Sequence, residues 1–233
     1  MQVSMINLTT DNGGVFNGYR ALPDQPNGGS VVVLQEIFGI NANIREIVED
    51  FATHGYACIA PDIFWRQQPG VELDPSSESD RDRAQALLAG LDVELAVRDA
   101  LLAGTHLLGL PGANGRLAAV GYCLGGKLAY LLGASPQVSA AISYYGVAIQ
   151  HSLPMADQIC SPLLLHLAEN DHLCPPEAQA LILDTLSARP GVSIMRYPNV
   201  GHAFARRNSP NFDATSAARA DAATLDLLGA KVA

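Results

Sequence analysis

Gly121-Tyr122-Cys123-Leu124-Gly125-Gly126 follows the apolar run Leu117 to Gly121 and leads into a helical pattern from Lys127 onward. A strand that turns directly into a helix forces the residue at the corner into a strained backbone. Its neighbours two positions away on either side must then be glycine so that the two backbones can pass. Gly121 and Gly125 meet that condition, so the stretch reads as a nucleophile elbow carrying Cys123. Gly-x-Cys-x-Gly alone also arises by chance in a chain with 21 glycines. A buried structural cysteine in a Gly-rich turn is the competing reading, and the flanking strand and helix decide for the nucleophile.

Working outward, the chain has 233 residues, 48% hydrophobic and 16% charged, enough for one substantial core, and a single domain over 1–233 is expected. A formal charge of -9 argues against nucleic acid or an anionic membrane as partner. A local cationic pocket for a small anion stays compatible with it. The N-terminus lacks the basic segment and apolar core of a secretion signal, and no apolar run reaches a membrane span, so a cytoplasmic protein is expected. Cys58, Cys123, Cys160 and Cys174 show no Cys-x-x-Cys pair, which suits neither a zinc site nor a disulfide framework. Cys58 and Cys160 read as reduced, buried structural residues. No metal and no cofactor are expected.

Short continuous apolar runs predict strands at Ser30 to Gln35, Ala57 to Pro61, Leu117 to Gly121, Ser139 to Tyr144, Pro162 to Leu167 and Ser193 to Tyr197. Such runs suit central parallel strands covered on both faces. Helical patterns fall between and around them, at Ala42 to His54, Ser79 to Leu91, Val93 to Leu108, Leu124 to Gly133, Pro176 to Ala188 and Asp213 to Leu228. Val3 to Leu8 and Gly14 to Leu22 flank the turn cluster Thr10-Asp11-Asn12-Gly13 and read as an antiparallel edge hairpin. The fold class is therefore α/β, a doubly wound, mostly parallel sheet with helices on both faces. Pro61 to Ser79 is the longest irregular stretch, and long loops after a strand commonly serve a site.

In parallel sheets the ligand crevice lies beyond the carboxyl ends of the strands, which singles out four side chains. Cys123 follows one strand, Asp171 another and His202 a third, and nucleophile, acid, histidine is the chain order of α/β-hydrolases. An acid that orients an imidazole, which in turn ion-pairs with or deprotonates a thiol, is triad logic with sulfur as nucleophile. A lone histidine or loop acid is usually structural or solvated, and Glu169 and Asp157 compete with Asp171 for the role. Glu36 is the fourth: the apolar run Val31 to Gln35 delivers a carboxylate where burial is costly unless the group is used or hydrogen-bonded. Beside Cys123 it would disfavour the thiolate and could accept the thiol hydrogen; a solvated loop glutamate is the alternative.

Gln35-Glu36-Ile37-Phe38-Gly39, Pro61-Asp62, Gly121-Tyr122-Cys123-Leu124-Gly125-Gly126, Tyr144-Tyr145-Gly146 and Gly201-His202-Ala203-Phe204 together resemble the dienelactone hydrolase family, the carboxymethylenebutenolidases, over nearly the whole chain. The resemblance implies a cofactor-free α/β-hydrolase that opens an unsaturated carboxylated lactone, 4-carboxymethylenebut-2-en-4-olide, to maleylacetate in (chloro)aromatic breakdown. It implies Cys123, His202 and Asp171 as triad. It also implies that Glu36 keeps the resting thiol neutral until the substrate carboxylate displaces it, whereupon it takes the thiol proton. Arg81 and Arg206 correspond to the family's carboxylate anchors, with Phe38 and Tyr145 at the substrate. The backbone N–H groups of Ile37 and Leu124 correspond to the oxyanion hole. The partner is then a small anionic lactone, and the enzyme is expected to be a monomer.

Gln85 and Leu88 stand where the family's pocket carries aromatic residues, and Phe64 where tyrosine is common, which bears on substrate identity and not on reaction class. Another activated ester or lactone is thus an alternative substrate. A glutamine amidotransferase also uses Gly-x-Cys-x-Gly, but its acid lies two residues after the histidine, where this chain has Phe204. A non-catalytic thiol sensor or binding protein on the same fold is the alternative outside enzymes.

Overall fold

The computed structural model describes residues 1–233 and contains two compact units, residues 1–117 with Ala233 and residues 118–232. In the first, β1 (Gln2–Thr9) and β2 (Val15–Leu22) form the antiparallel hairpin expected from the turn cluster, in register from Gln2↔Leu22 to Thr9↔Val15. Gly13, at φ 83°, supplies the left-handed turn residue. β2 pairs antiparallel with β4 (Ala57–Pro61), and β4 pairs parallel with β3 (Ser30–Leu34), so the order is β1-β2-β4-β3. Every residue of β3 is buried, which in a structure of alternating faces means cover on both sides. α1 (Ala42–Thr53) and α3 (Val93–Leu108) pack on β3 and β4.

Side-chain caps explain where helices begin in this unit. Asn41 accepts from the Ile44 N–H at the start of α1, Ser77 from Asp80 at α2 (Glu78–Ala89), and Asp92 from Leu95 at α3. The stretch after β4, expected to be irregular, is tied down closely. The buried Asp62 carboxylate accepts the N–H groups of Phe64 (3.1 Å) and Gly70 (2.7 Å). Asp99 on α3, also buried, accepts from Trp65 Nε1 at 2.8 Å and from both terminal nitrogens of Arg66, whose guanidinium lies 4.3 Å from the Trp65 ring centroid. Further along, Ile40 N–H reaches Val71 O and Leu73 N–H reaches Phe38 O, a two-strand contact across Gly39. Gly39 is at φ 76°, and a Cβ there would overlap the Val71 carbonyl.

In residues 118–232, β5 (Leu117–Tyr122), β6 (Ala140–Tyr144), β7 (Leu163–Ala168) and β8 (Val192–Tyr197) lie side by side, all parallel. β5, β6 and β7 are buried throughout, while β8 is partly exposed as befits an edge. α4 (Leu124–Leu132) and α6 (Ala214–Lys231) pack on β6, and α5 (Pro176–Leu186) opens on Pro176, whose missing N–H costs nothing in a first turn. α5 packs on a 3-10 segment, Ile149–Gln158, that periodicity did not predict. Pro154 within it removes a donor and disfavours a regular α-helix. Elsewhere the expected elements differ only at their ends. α6 runs three residues beyond Leu228, to Lys231. No helix is long and apolar enough to cross a membrane.

One expectation is corrected. Cys58 is fully buried on β4, but Cys160 is exposed, because it stands in the turn between the 3-10 segment and β7, where its N–H and Sγ both reach back to the Gly133 carbonyl.

Candidate active site

Cys123 stands between β5 and α4 at φ 55°, ψ −114°, a conformation that non-glycine residues seldom adopt and that costs about 1–3 kcal/mol. The surrounding backbone holds it there. Its N–H donates to Tyr144 O at 3.1 Å, and its carbonyl accepts from Gly126 (3.0 Å), Lys127 (3.3 Å) and Val147 (3.2 Å). A Cβ on Gly121 would overlap the backbone of Gly125; one on Gly126 would come 2.7 Å from both Gly146 Cα and Ser143 Oγ. The glycines are thus required by close backbone approach on both sides of the sulfur. Leu124 begins the helix, where first-turn N–H groups lack intrahelical acceptors and the helix dipole favours negative charge.

His202 Nδ1–H donates to Asp171 Oδ2 at 2.8 Å, and both side chains are buried. The other carboxylate oxygen, Oδ1, accepts the Leu173 N–H at 2.8 Å. Burial alone pushes the imidazole pKa down. The hydrogen bond to Asp171, and then the sulfur of Cys123, outweigh it and raise the value from 6.5 to about 10. His202 Nε2 makes no hydrogen bond of regular geometry, and catalytic contacts in sites without substrate are often loosely aligned. The competing acids are engaged elsewhere: Glu169 pairs with Arg196 at 3.0 Å and Asp157 with Arg189 at 2.6 Å. Phe204, the position an amidotransferase would fill with an acid, is fully buried and apolar.

The raised value has a stability consequence with a definite sign. A histidine whose folded pKa lies above its unfolded one stabilises the fold fully below the unfolded value and loses that contribution as pH rises through the folded one. His202→Gln is therefore expected to lower Tm most near pH 6, with the gap to the parent narrowing steadily toward pH 10. Thermal melts across that range check it; a gap independent of pH would show that folding does not raise the imidazole pKa.

Tyr145, at φ 39°, turns the chain after β6 and sets its ring edge-on to the His202 imidazole, with centroids 5.1 Å apart. Its N–H donates to His166 O at 2.8 Å. His166 is the centre of a buried polar cluster that sequence reasoning missed, since a histidine inside an apolar strand carries no motif. Its Nδ1 meets Tyr197 Oη at 2.8 Å and its Nε2 meets Thr224 Oγ1 at 3.1 Å, while Thr224 and Asp221 hold the Tyr144 hydroxyl. Burial, then the charge of Arg219, pushes the His166 pKa down to about 3, so it is a neutral structural bridge. Cys174 is likewise held as a thiol: burial and the charge of Asp171 push it up to about 11.

Other expected site residues fall as follows. Arg206 lies partly buried in the turn after His202, its N–H on Ala203 O. In residues 1–117, Glu36 is fully buried, unlike a solvated loop glutamate, and Ile37 and Phe38 are buried beside it in sequence. Arg81 is exposed in the first turn of α2, where one terminal nitrogen donates to the carbonyls of Pro75 (3.0 Å) and Ser76 (2.9 Å). Phe64 is fully buried.

The model of the dienelactone hydrolase family matches residues 16–232. Carboxymethylenebutenolidase 1 of Cupriavidus pinatubonensis is 40% identical over 223 residues, which cover 96% of this chain and 95% of that protein. A Klebsiella pneumoniae protein proposed to be a dienelactone hydrolase has the same fold, with a TM-score of 0.86 at 24% identity over 98% of this chain and 99% of that one. The α/β-hydrolase GrgF of Penicillium follows at a TM-score of 0.72 and 15% identity, covering 100% and 99%. The architecture is that of the α/β-hydrolases, mostly parallel strands interleaved with helices. With a strained strand-to-helix turn, a family match across both units and a 40%-identical relative over nearly its full length, the chain belongs to the dienelactone hydrolase family and is a hydrolase of ester or lactone bonds.

Proposed function

We propose that the protein hydrolyses a small carboxylated unsaturated lactone, dienelactone to maleylacetate in (chloro)aromatic breakdown, with Cys123 as nucleophile, His202 as acid and base and Asp171 as its orienting acid. The observation that carries this reading is the buried 2.8 Å bond from His202 to Asp171, on an imidazole whose charged form is also favoured by the sulfur of Cys123. The thiolate adds to the lactone carbonyl, and the resulting oxyanion is met by the Leu124 N–H at the start of α4. Collapse breaks the ring C–O bond and expels an enolate, which takes the imidazolium proton of His202 to become the ketone and leaves the imidazole neutral. Water, deprotonated by His202, then cleaves the thioester and returns the thiolate.

In this reading Glu36 keeps the resting thiol neutral until the substrate carboxylate displaces it. That role for Glu36, the Ile37 N–H as second oxyanion donor, carboxylate anchoring by Arg81 and Arg206, and substrate contacts by Phe38 and Tyr145 rest on their motif positions. The chemistry is coherent: a guanidinium fork suits a carboxylate, and a buried carboxylate is a ready proton acceptor. The purified protein is expected to consume cis- or trans-dienelactone, followed as loss of ultraviolet absorbance. Turnover of an aryl ester but of neither lactone isomer would move the substrate to another activated ester while leaving the nucleophile in place.

A further inference from the structure

Gln179, in the first half of α5, is buried, which is unusual for a glutamine. Its Nε2 lies 2.8 Å from Cys174 O, 3.1 Å from Ala168 O and 3.3 Å from Glu169 O. An amide nitrogen has two hydrogens, so one is shared between two of these acceptors. The three carbonyls belong to the two feet of one arch: Ala168 and Glu169 precede Asp171 and Cys174 follows it. Besides the Leu173 N–H on Asp171 Oδ1, the His202 bond to Oδ2 and the surface pair of Glu169 with Arg196, the arch is held by backbone bonds from Glu169 N–H to Tyr197 O, Asn170 N–H to Val200 O and Cys174 N–H to Asp171 O; none of these joins its two feet.

We propose that Gln179 is a positioning residue for Asp171: its side-chain amide joins the two feet of the loop and thereby fixes the carboxylate that holds His202. The inference rests on the triad reading above. No apolar side chain of the same size can replace it, because the three inward carbonyls would lose their side-chain donor, and each buried polar group left unsatisfied is costly. With the feet unjoined, the arch can open between Ala168 and Cys174 while β7 and α5 remain in place. The bond from His202 Nδ1 to Asp171 Oδ2 is what loosens. A misplacement of about 1 Å in such a group is worth on the order of 100-fold in rate.

The test compares the full-length protein with Gln179→Met, which keeps the volume and removes the donors. The first readout is the low-field proton resonance of His202 Nδ1–H, assigned by its disappearance in His202→Gln; it needs no substrate. Loss or exchange broadening of that resonance in Gln179→Met is expected, with kcat down by about 10- to 100-fold and KM within about threefold. A parent protein that lacks the resonance would defeat the triad geometry itself. A parent that shows it, with Gln179→Met unchanged in resonance and kcat, would overturn the positioning role alone. If Gln179→Met does not fold, Gln179→Glu serves: when protonated it fills the same space with a single donor. A broadened resonance in that variant supports the proposal, and a parent-like one overturns it.

Discussion

Cys123→Ala is expected to abolish turnover, lowering kcat by at least about 1,000-fold while leaving the fold intact. Removing the nucleophile of a triad typically costs more than this, and the residue that survives comes from binding and oxyanion stabilisation. Alanine is smaller than cysteine and apolar, so it fits the buried corner without a clash. It also inherits the same backbone at φ 55°, so the strain is unchanged and Tm should stay within a few degrees of the parent. The other cysteines cannot compensate: Cys58 and Cys174 are buried with pKa values pushed up by burial, and Cys160 lies in the exposed turn beside Gly133. Alkylation read by peptide mass separates Cys160 from Cys123. Retention of more than a tenth of the parental rate in Cys123→Ala would remove this residue from the chemistry.

Gly121→Ala has the largest expected effect on stability, about 4 kcal/mol or more, or loss of soluble protein altogether. The added methyl would overlap the carbonyl and carbon of Gly125 and approach the nitrogen of Gly126, all backbone atoms of the turn that α4 starts from. Backbone cannot rotate away as a long side chain can, and overpacking of this kind belongs to the short list of severe lesions. Gly229→Ala is the matched control. Gly229 lies exposed in α6 with nothing near its Cβ position, so alanine there should add stability of up to about 1 kcal/mol through helix propensity. Urea denaturation of the two variants measures both signs. A Gly121→Ala protein with the parental midpoint would mean that the strand-to-helix corner is looser than its geometry.

Much of this was legible in the chain because the signals are local. The continuous apolar runs marked the central strands to within a residue, since strands buried on both faces need apolar residues at every position. The elbow was legible because Gly121 and Gly125 stand two positions either side of Cys123; the close approach at Gly121 is found in the structure, and the crowding at Gly126 was not read from the sequence. Asp171 and His202 were legible as residues that follow strands in the right order, and Asp171 was favoured over Glu169 and Asp157 on that ground; only the structure shows that it is Asp171 that meets the imidazole, at 2.8 Å. Arg196 and Arg189 occupy the other two. No local pattern announces such pairings, because the partners are brought together by neighbouring strands and helices.

Gln179, His166 and Asp99 escaped sequence reasoning for the same reason. Each is a polar residue inside an apolar or helical stretch whose value depends on distant partners: three carbonyls of the acid loop, two hydroxyls on β8 and α6, and an indole and a guanidinium from the loop after β4. Cys160 differs from its expected burial because the turn that carries it lies at the surface, its N–H on the Gly133 carbonyl. What the amino-acid sequence determined was the chemistry available, a thiol at a strained corner with an acid and an imidazole after later strands, because turn geometry and strand burial act over a few residues. Tertiary structure alone decided which groups meet, how far burial and Asp171 bias the imidazole, and what holds the acid loop. Those depend on distances and desolvation that arise only when segments far apart in the chain are packed together.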